Sequence, residues 1–411
     1  MVSQDERNAA SFRGAGEPGG RRAAGNRLVI LLAGFLVLFV GGGARFAIGL
    51  TLKPIAEEFG VGRATLGLAV AVYFIVTSAS MFLAGRLADA VSMRLVLLAG
   101  LLISAAGMGL LCLLSEPWQI FAYFGVLFAL GNGIASITPV SLMVSRAFPD
   151  RTGFANGIVS AGMSAGQLLI IAAFAVILAQ SGWRAIFFWG ALGHLALLPV
   201  VVRAVPASAE PAAAKHQTST VDGLSLRAAA RTRPFWLLLG IYALCGFDDF
   251  FVSTHVVAFA QDRGVDALVA GHLLALMGLV GFVGVIAAGA WSDKAGPVTP
   301  AVACFVVRIA AFALIGLDQS PLAIAAFALL FGFTFLMTAP LLVVFARAAF
   351  GMGNLGSITG LIVMIHHMCG GLGAWIGATL FDATGSYDWA FGVMLASSLL
   401  ACLFCAAMAR R

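Results

Sequence analysis

Long apolar runs separated by short polar interruptions fill almost the whole chain. A helix of about 20 mostly apolar residues is long enough to cross a bilayer, and runs of that length recur throughout. We predict spans at 28–51, 65–88, 94–114, 118–145, 155–179, 184–203, 234–260, 267–291, 299–317, 321–346, 354–381 and 388–408. The one long polar interruption, 204–233, lies between the sixth and seventh spans. The pattern therefore predicts six transmembrane helices, a linker and six more transmembrane helices.

The composition excludes a water-soluble protein. Residues of the types AVILMFWYC make up 61% of the chain and charged residues only 10%, against about 25% charged residues in a soluble domain. A soluble fold of this size has too little interior to hide so much apolar side chain. The net charge of +6 is spread over loops, so we expect the lipid bilayer and no nucleic acid as a partner.

The positions of lysine and arginine predict the orientation in the membrane. With the N-terminus inside, 18 of the 24 lysine and arginine residues lie on the inner side, and such an excess is typical of cytoplasmic loops. The outer side keeps Lys53, Arg63, Arg184 and Arg263. We therefore expect a multi-pass protein of the cell membrane, plasma or inner, with both termini in the cytoplasm.

The two halves of the chain carry the same landmarks at a nearly constant offset. GRLADAVS (85–92) and GAWSDKAG (289–296) share the frame G-x-x-x-D. GNGIASITP (131–139) and GFTFLMTAP (332–340) share the frame G-x7-P. Both copies start on the same side of the membrane, so the repeat is parallel and its axis lies along the membrane normal. Transporters built in this way bind substrate near the middle of the membrane, between the halves.

The duplication predicts the organisation of the chain. We expect an all-α membrane protein with twelve transmembrane helices in two pseudo-symmetric six-helix bundles. Its parts are a disordered cytoplasmic tail at 1–27, an N-terminal bundle at 28–203, a cytoplasmic linker at 204–233 and a C-terminal bundle at 234–409.

The loop after the second span resembles the hallmark of the major facilitator superfamily, G-x-L-A-D-R-x-G-R-[RK]. The first copy keeps Gly85, Leu87, Ala88, Asp89 and Arg94, and it differs from the motif at Ala90, Ser92 and Met93. The second copy keeps Gly289, Asp293 and Gly296, with Lys294 in the basic position. We expect Asp89, Arg94, Asp293 and Lys294 to form cytoplasmic charge contacts that lock the outward-facing state, which is a conformational role.

Several stretches resemble the monocarboxylate transporter and oxalate/formate antiporter branch of that superfamily. They are FAIGLTLKPIAEEFGVGRATL (46–66), GNGIASITPVSLMVSRAFPDRTGFANGIVSAGMSAG (131–166), GWRAIFF (182–188) and THVVAFAQDRGV (254–265). This resemblance implies a small organic acid as substrate, and the superfamily resemblance implies a functional monomer. By alignment, His366 takes the position of a lysine that oxalate/formate exchangers use in their eleventh span.

Few charged residues lie inside the predicted spans, and Arg45 is the most prominent of them. A charge at the bilayer centre costs about 2.5–3.5 kcal/mol on insertion scales, so it survives where it is paired or faces water. The repeat offset places Arg45 opposite Asp248 or Asp249, and Thr51 opposite His255. The offset favours Asp249, whereas a helix face shared with His255 favours Asp248. The choice between the two aspartates stays open.

These residues suggest that a proton and an organic anion travel together. An arginine keeps its charge and matches the shape of a carboxylate, so Arg45 is the expected clamp for the substrate anion. In the empty carrier we expect Arg45 to pair with the aspartate. On loading, a proton neutralises that aspartate and the substrate takes its place. His255 and His366 are candidates for relaying the proton or binding substrate, and Tyr73 and Asn132 for binding substrate.

Structural roles are the alternative for the same positions. An Arg45–aspartate pair is also consistent with a purely structural latch between the halves. Tyr73 and Asn132 are as well suited to bridging helices as to touching substrate. Arg308 stands alone in the predicted ninth span, and we expect it to be structural and outside the cavity.

We predict a secondary active transporter of small monocarboxylates that works by alternating access, with proton symport as the leading hypothesis. An organic-anion exchanger is the first alternative. A multidrug or cation exporter is a weaker one, because Arg45 makes the cavity at best neutral and the chain has only four tyrosines. No HExxH or Ser-His-Asp pattern occurs, and the CxxC at Cys402 and Cys405 stands alone in an apolar run. We therefore expect no enzyme activity, catalytic residue, metal or cofactor.

Overall fold

The computed structural model describes residues 18–148, 152–207, 224–351 and 355–409. In this part of the chain, twelve helical stretches are long and apolar enough to cross a membrane. They follow the order predicted from hydropathy, so the twelve-span fold is confirmed. Nine of these stretches are single helices: Arg63–Ala90, Met93–Cys112, Thr152–Ser181, Trp183–Ala204, Arg233–Asp262, Ala267–Ala295, Val298–Leu317, Leu355–Thr384 and Asp388–Ala409.

The first, fourth and tenth spans are broken within their length. The first consists of Pro18–Ala44 and Ala47–Phe59, the fourth of a π-helix Phe121–Phe128 with Ala129–Ile134 and Ile137–Ala147, and the tenth of Pro321–Thr334 and Thr338–Phe350. The breaks in the fourth and tenth spans fall inside the repeated G-x7-P frames. In both copies the proline lies in the first turn of the new helix, where its missing N–H breaks no helical hydrogen bond.

The predicted tail and linker are only partly described. The first helix begins at Pro18, so the prediction of disorder throughout 1–27 is wrong for its last residues. Arginine and alanine favour a helix there and extend the first span. Within the predicted linker, residues 208–223 lie outside the described ranges. The linker's end forms a short helix, Leu226–Ala229, and the Leu224 N–H donates to the Phe350 carbonyl at 2.8 Å.

The packing inside each half repeats with a shift of six spans. The first span packs on the fifth and sixth, as the seventh packs on the eleventh and twelfth. The second packs on the fourth as the eighth packs on the tenth, and the third packs on the fourth and sixth as the ninth packs on the tenth and twelfth. This correspondence is what a parallel duplication of six helices produces.

The halves meet along three pairs of spans. The second span packs on the eleventh, the fifth on the eighth, and the Ala47–Phe59 segment of the first on the seventh. Glycines allow these helices to approach closely. A Cβ atom at Gly371 would lie 2.8 Å from the Ala71 Cα, and one at Gly278 would lie 2.8 Å from the Gln167 side chain. The contact between the second and eleventh spans extends as far as Phe74, whose ring lies 6.0 Å from that of His367.

Polar contacts hold the halves together at one end of this interface. Asp262 of the seventh span accepts from Lys53 at 2.9 Å and from Arg63 at 2.5 Å. Arg63 also donates to the Tyr387 hydroxyl at 3.0 Å. Asp382 of the eleventh span accepts from the Arg63 backbone N–H at 2.9 Å, which caps the second span. We call Lys53, Arg63, Asp262, Asp382 and Tyr387 the interdomain latch.

Removing the central carboxylate of the interdomain latch is expected to open this end of the protein. Asp262→Asn leaves Lys53 and Arg63 without their shared negative partner, and charge-assisted hydrogen bonds are worth about 1.5–3 kcal/mol. We expect a cysteine introduced at Thr254, in a background without native cysteines, to be labelled about tenfold faster or more. The measurement is the rate of reaction with an impermeant maleimide added from the latch side.

The control for this prediction is Glu58→Gln. Glu58 pairs with Arg184 at 2.6 Å within the N-terminal half, so its loss removes a carboxylate on the same side of the membrane without releasing a contact between the halves. Equal labelling rates in Asp262→Asn and Glu58→Gln would show that the interdomain latch does not hold this end closed.

Candidate functional site

A small cavity lies between the two halves, and Arg45 is one of its walls. Its lining comes from the first, second, fourth and seventh spans. The lining residues are Arg45, Phe46, Ile48, Val70, Tyr73, Phe74, Phe124, Phe250, Ser253 and Thr254. One cation and three hydroxyl groups therefore line a space that is otherwise apolar and aromatic, the chemical make-up of a small-molecule site. The cavity volume is about 10 Å³, room for about one water molecule, so a substrate needs the cavity to widen.

Arg45 reaches the cavity because the first span breaks beside it. The helix ends at Ala44 and resumes at Ala47, while the Arg45 N–H still donates to the Gly41 carbonyl at 3.3 Å. The guanidinium carbon lies 4.6 Å from the centre of the Phe46 ring. The buried Nε atom of Arg45 has no hydrogen-bond partner among the described residues. The side chain is therefore a cation with hydrogen-bonding capacity to spare.

The predicted pair between Arg45 and an aspartate does not form in this structure. Asp249 instead accepts from Arg308 at 2.6 Å, and both side chains are buried. The Arg308 guanidinium also donates to the Thr334 carbonyl at 3.1 Å and to the Thr334 hydroxyl at 3.2 Å. The first helix of the tenth span ends at Thr334, whose carbonyl accepts both from the Met337 N–H at 3.1 Å and from Arg308. Arg308 lies outside the cavity lining, as expected, but it is not alone.

Asp248 also faces away from the cavity. It is fully buried, and its Oδ2 accepts from the Ser398 hydroxyl of the twelfth span at 2.7 Å. Its Oδ1 has no partner among the described residues. The expectation that one aspartate of the seventh span points into the cavity is therefore wrong for this state. Successive residues of a helix point about 100° apart, and here both directions lead into the C-terminal half.

His255 belongs to the neighbourhood of the interdomain latch and does not line the cavity. One ring nitrogen, Nε2, donates to the Ala374 carbonyl at 2.8 Å, because a carbonyl oxygen only accepts. In the neutral ring the other nitrogen, Nδ1, accepts from the Tyr387 hydroxyl at 3.0 Å. Both nitrogens are thus in use. Thr51, its predicted counterpart, donates to the Ala47 carbonyl of its own helix at 3.0 Å. The role of His255 as a substrate ligand is not supported by this geometry.

Tyr73 and Asn132 form a polar chain across three spans of the N-terminal half. The Tyr73 hydroxyl donates to Asn132 Oδ1 at 3.0 Å, and Asn132 Nδ2 donates to the Gly41 carbonyl at 3.3 Å. The Tyr73 ring stacks on Phe124 at 4.7 Å. Tyr73 lines the cavity and Asn132 does not. Asn132 therefore holds Tyr73 and the turn preceding Arg45 in place.

His366 lies next to the Asp249–Arg308 pair. Its Nδ1 lies 3.0 Å from the Tyr242 carbonyl, and its Nε2 lies 3.9 Å from Asp249 Oδ2. The Cys245 thiol donates to the same Oδ2 at 3.3 Å. Cys245, Asp249 and His366 bring their ligand atoms within 4.8 Å of one another. Sequence reasoning missed this group because its members come from two spans far apart in the chain.

The predicted gate residues lie at the end opposite the interdomain latch. Arg94 donates from Nε to the Val205 carbonyl at 2.6 Å, within its own half. Asp293 and Lys294 are exposed. Asp89 is in the second helix, but its side chain lies outside the described residues. The structure does not bring Arg94 together with Asp293 or Lys294, since the described hydrogen bonds and ion pairs between the halves lie at the latch end.

Comparison with known proteins adds sequence and structural relatives. A family model described as Major Facilitator Superfamily matches residues 34–374 and 243–411. The uncharacterized MFS-type transporter YcxA of Bacillus subtilis is 25% identical, over 82% of this chain and 84% of its own length. Monocarboxylate transporter 3 of Rattus norvegicus is 27% identical, over 96% of this chain and 81% of its own length.

Solved structures show the same fold at low sequence identity. A bacterial homologue of the human lysosomal transporter Spinster, in an inward-facing and unoccupied conformation, superposes with a TM-score of 0.78 and 16% identity over 94% of this chain and 97% of that chain. A D-xylose–proton symporter has a TM-score of 0.73 and 16% identity over 92% of this chain and 97% of that chain. The chain therefore belongs to the Major Facilitator Superfamily, as a multi-pass membrane transporter that resembles the monocarboxylate transporters of that family.

Proposed function

We propose that this protein is a proton-coupled symporter of small monocarboxylates that works by alternating access. The main observation in support is the position of Arg45. It is a cation in the wall of the cavity between the halves, with no described carboxylate within 4 Å. An unpaired arginine in an apolar cavity attracts an anion with a flat, two-oxygen head group. The relatives named monocarboxylate transporters support the same class of substrate.

The cavity walls suit a short acid. Tyr73, Ser253 and Thr254 supply hydroxyls around Arg45, while the aromatic rings of Phe74 and Phe250 close the remaining walls and lie 4.0 Å apart. A substrate with one carboxylate and a small body matches this combination of one cation, few hydroxyls and much apolar surface. A second carboxylate would find no second cation among the described residues of the lining, so we propose monocarboxylates rather than dicarboxylates.

Coupling to a proton is proposed because a proton neutralises the charge of the transported anion. A monocarboxylate that crosses with one proton moves no net charge through the membrane field. In this mechanism the substrate carboxylate binds Arg45, and a buried acidic group of the C-terminal half takes the proton. Asp248 and Asp249 are the buried carboxylic acids of the seventh span. Neither pairs with Arg45 here, so substrate binding does not have to displace either of them.

Orientation and gating complete the proposal. The lysine and arginine distribution supports a protein of the plasma or inner membrane with both termini in the cytoplasm. In that orientation the interdomain latch would close the outer side, and this state would be inward-facing. In the opposite state, Asp89, Arg94, Asp293 and Lys294 would form the cytoplasmic contacts between the halves. One chain supplies both sides of the cavity, so a monomer is sufficient for transport.

The test is proton movement into proteoliposomes that contain a pH-sensitive dye, with the membrane voltage clamped. We expect lactate or pyruvate to acidify the lumen faster than in protein-free vesicles, because each anion enters with a proton. Exchange of labelled lactate for internal lactate without acidification would favour the organic-anion exchanger. Neither acidification nor exchange with any short acid would contradict the proposed substrate class.

A further inference from the structure

The His366 ring and the Asp249 carboxylate lie close together between the seventh and eleventh spans. His366 Nδ1 lies 3.0 Å from the Tyr242 carbonyl, and a carbonyl oxygen only accepts, so this nitrogen carries a hydrogen. In a neutral imidazole the other nitrogen then has a lone pair and no hydrogen. That nitrogen, Nε2, lies 3.9 Å from the carboxylate oxygen Oδ2 of Asp249. Two proton acceptors thus lie slightly beyond hydrogen-bond distance of each other, and a proton on Nε2 would turn their contact into an attractive one.

The remaining contacts of Asp249 hold its carboxylate in this position. Oδ1 accepts from Arg308 at 2.6 Å, and Oδ2 accepts from the Cys245 thiol at 3.3 Å. Arg308 is itself fixed by Thr334 of the tenth span. Because Arg308 already balances the charge of Asp249, a proton added at His366 gives the site one net positive charge. That charge then complements a substrate anion nearby.

The charged and titratable groups around this pair come from several helices. They are Arg45 of the first span, Tyr242, Cys245 and Asp248 of the seventh, Cys304 and Arg308 of the ninth and His367 of the eleventh. Arg308 is the only arginine or lysine within 4 Å of the Asp249 carboxylate among the described residues. His366 itself has a lone pair on Nε2, retains 17% exposure of its side chain and lies 3.9 Å from a carboxylate oxygen.

The pair lies one aromatic side chain away from the cavity. The His366 ring packs on Phe250 with 5.5 Å between ring centres, and Phe250 lines the cavity together with Arg45. Gly246 lets the seventh helix pass directly against the His366 backbone, where a Cβ atom would collide with its carbonyl. The close helix contact keeps His366 beside the seventh span. The side chain of His366 is 17% exposed, so the ring is not fully sealed from water.

We propose that His366 and Asp249 together hold the co-transported proton, while Arg45 holds the substrate carboxylate. The proton adds to the lone pair of His366 Nε2, the ring moves toward Asp249 so that the new N–H donates to Oδ2, and the proton leaves from the same nitrogen on the other side of the transport cycle. No other bond forms or breaks. This assignment rests on the proposed symport function, and it gives the proton to a histidine–aspartate pair rather than to Asp248.

A divalent metal ion is the competing occupant of the same place, since Cys245, Asp249 and His366 present sulfur, oxygen and nitrogen ligands within 4.8 Å of one another. The position of Arg308 argues against it. Its guanidinium lies 2.6 Å from Asp249, so a doubly charged ion would sit against a fixed positive charge. A single proton adds half that charge and needs no rearrangement of the thiol.

The test uses His366→Gln in proteoliposomes. Glutamine can still donate to the Tyr242 carbonyl, but it cannot hold a proton. Two rates are measured: accumulation of labelled lactate driven by a pH gradient, and exchange of lactate at equal pH on both sides. We expect the gradient-driven accumulation to fall about tenfold or more while exchange stays within about twofold of the wild-type rate.

The matched control is His367→Gln, which should keep both rates. His367 bonds to the Val363 carbonyl of its own helix at 2.8 Å and contacts no carboxylate among the described residues.

Three results would overturn the proposal. Normal gradient-driven accumulation in His366→Gln would show that this histidine does not hold the proton, and equal loss of accumulation and exchange would give it a structural or substrate-binding role. Binding of one Zn²⁺ per chain by the wild type, lost in His366→Gln, would make the place a metal site. Exchange without gradient-driven accumulation in the wild type would instead overturn the proposed symport. Failure of the proposed function is therefore distinguishable from failure of the assignment of the proton to His366.

Discussion

Replacing Arg45 by alanine is expected to weaken binding of a short monocarboxylate by about 10- to 100-fold, because hydrogen bonds to a charged group contribute about 1.5–3 kcal/mol. Among the described residues, Arg45 is the only arginine or lysine in the cavity lining. Arg45→Lys should give an intermediate loss, since lysine keeps the charge but not the two-pronged geometry of the guanidinium. The measurement is equilibrium binding of lactate or pyruvate to the purified protein.

Arg184→Ala is the control for the Arg45 variants. Arg184 is an arginine of the same half, but it is partly exposed and pairs with Glu58 at 2.6 Å, away from the cavity lining. Its loss should leave the dissociation constant unchanged. If Arg45→Ala binds lactate as tightly as Arg184→Ala does, Arg45 is not the carboxylate clamp, and its position in the cavity wall has a structural cause.

Replacing Asp249 by asparagine is expected to destabilise the protein by about 3–5 kcal/mol, because it leaves the charge of Arg308 buried without a partner. Arg308 has no exposed surface and no other carboxylate within ion-pair distance among the described residues. A second substitution, Arg308→Met, removes that stranded charge. The double variant should therefore recover most of the lost stability. Thermal melting in detergent measures both changes.

Asp248→Asn is the matched control for this prediction, since it makes the same chemical change at the neighbouring position. Asp248 has a hydroxyl partner, Ser398, and no ion pair among the described residues, and an asparagine can accept the same hydrogen bond. Its melting temperature should change much less than that of Asp249→Asn. Equal melting of the two single variants, or a double variant no more stable than Asp249→Asn, would contradict the Asp249–Arg308 pair as the main anchor of this core.

The histidines show how far sequence reasoning reached. His366 was a candidate because it is a titratable residue in a predicted span at a position where related exchangers carry a lysine, and the structure places it beside Asp249. His255 was a candidate by the repeat offset, but its two nitrogens bond to Ala374 and Tyr387. The offset identifies a helix and a position along it. It carries no information about the rotation of that helix about its own axis.

The partner of Arg308 could not be predicted for a related reason. A lone arginine in an apolar span needs a partner, and that need was visible in the sequence. The identity of the partner was not, because Arg308 and Asp249 are far apart in the chain and belong to helices whose packing is not encoded locally. The helix end at Thr334 contributed as well, since its carbonyl accepts from the guanidinium in addition to the Met337 N–H.

The sequence alone determined the twelve spans, their duplication, the membership of the superfamily and the presence of a cation in the first span beside the cavity. These follow from hydropathy and from motif spacing, which are properties of short segments. The tertiary structure decided which charges meet. Asp248 and Asp249 are adjacent in the chain, yet one binds Ser398 and the other Arg308. A rotation of about 100° per residue separates their directions, and only the packing of neighbouring helices decides what lies in each direction.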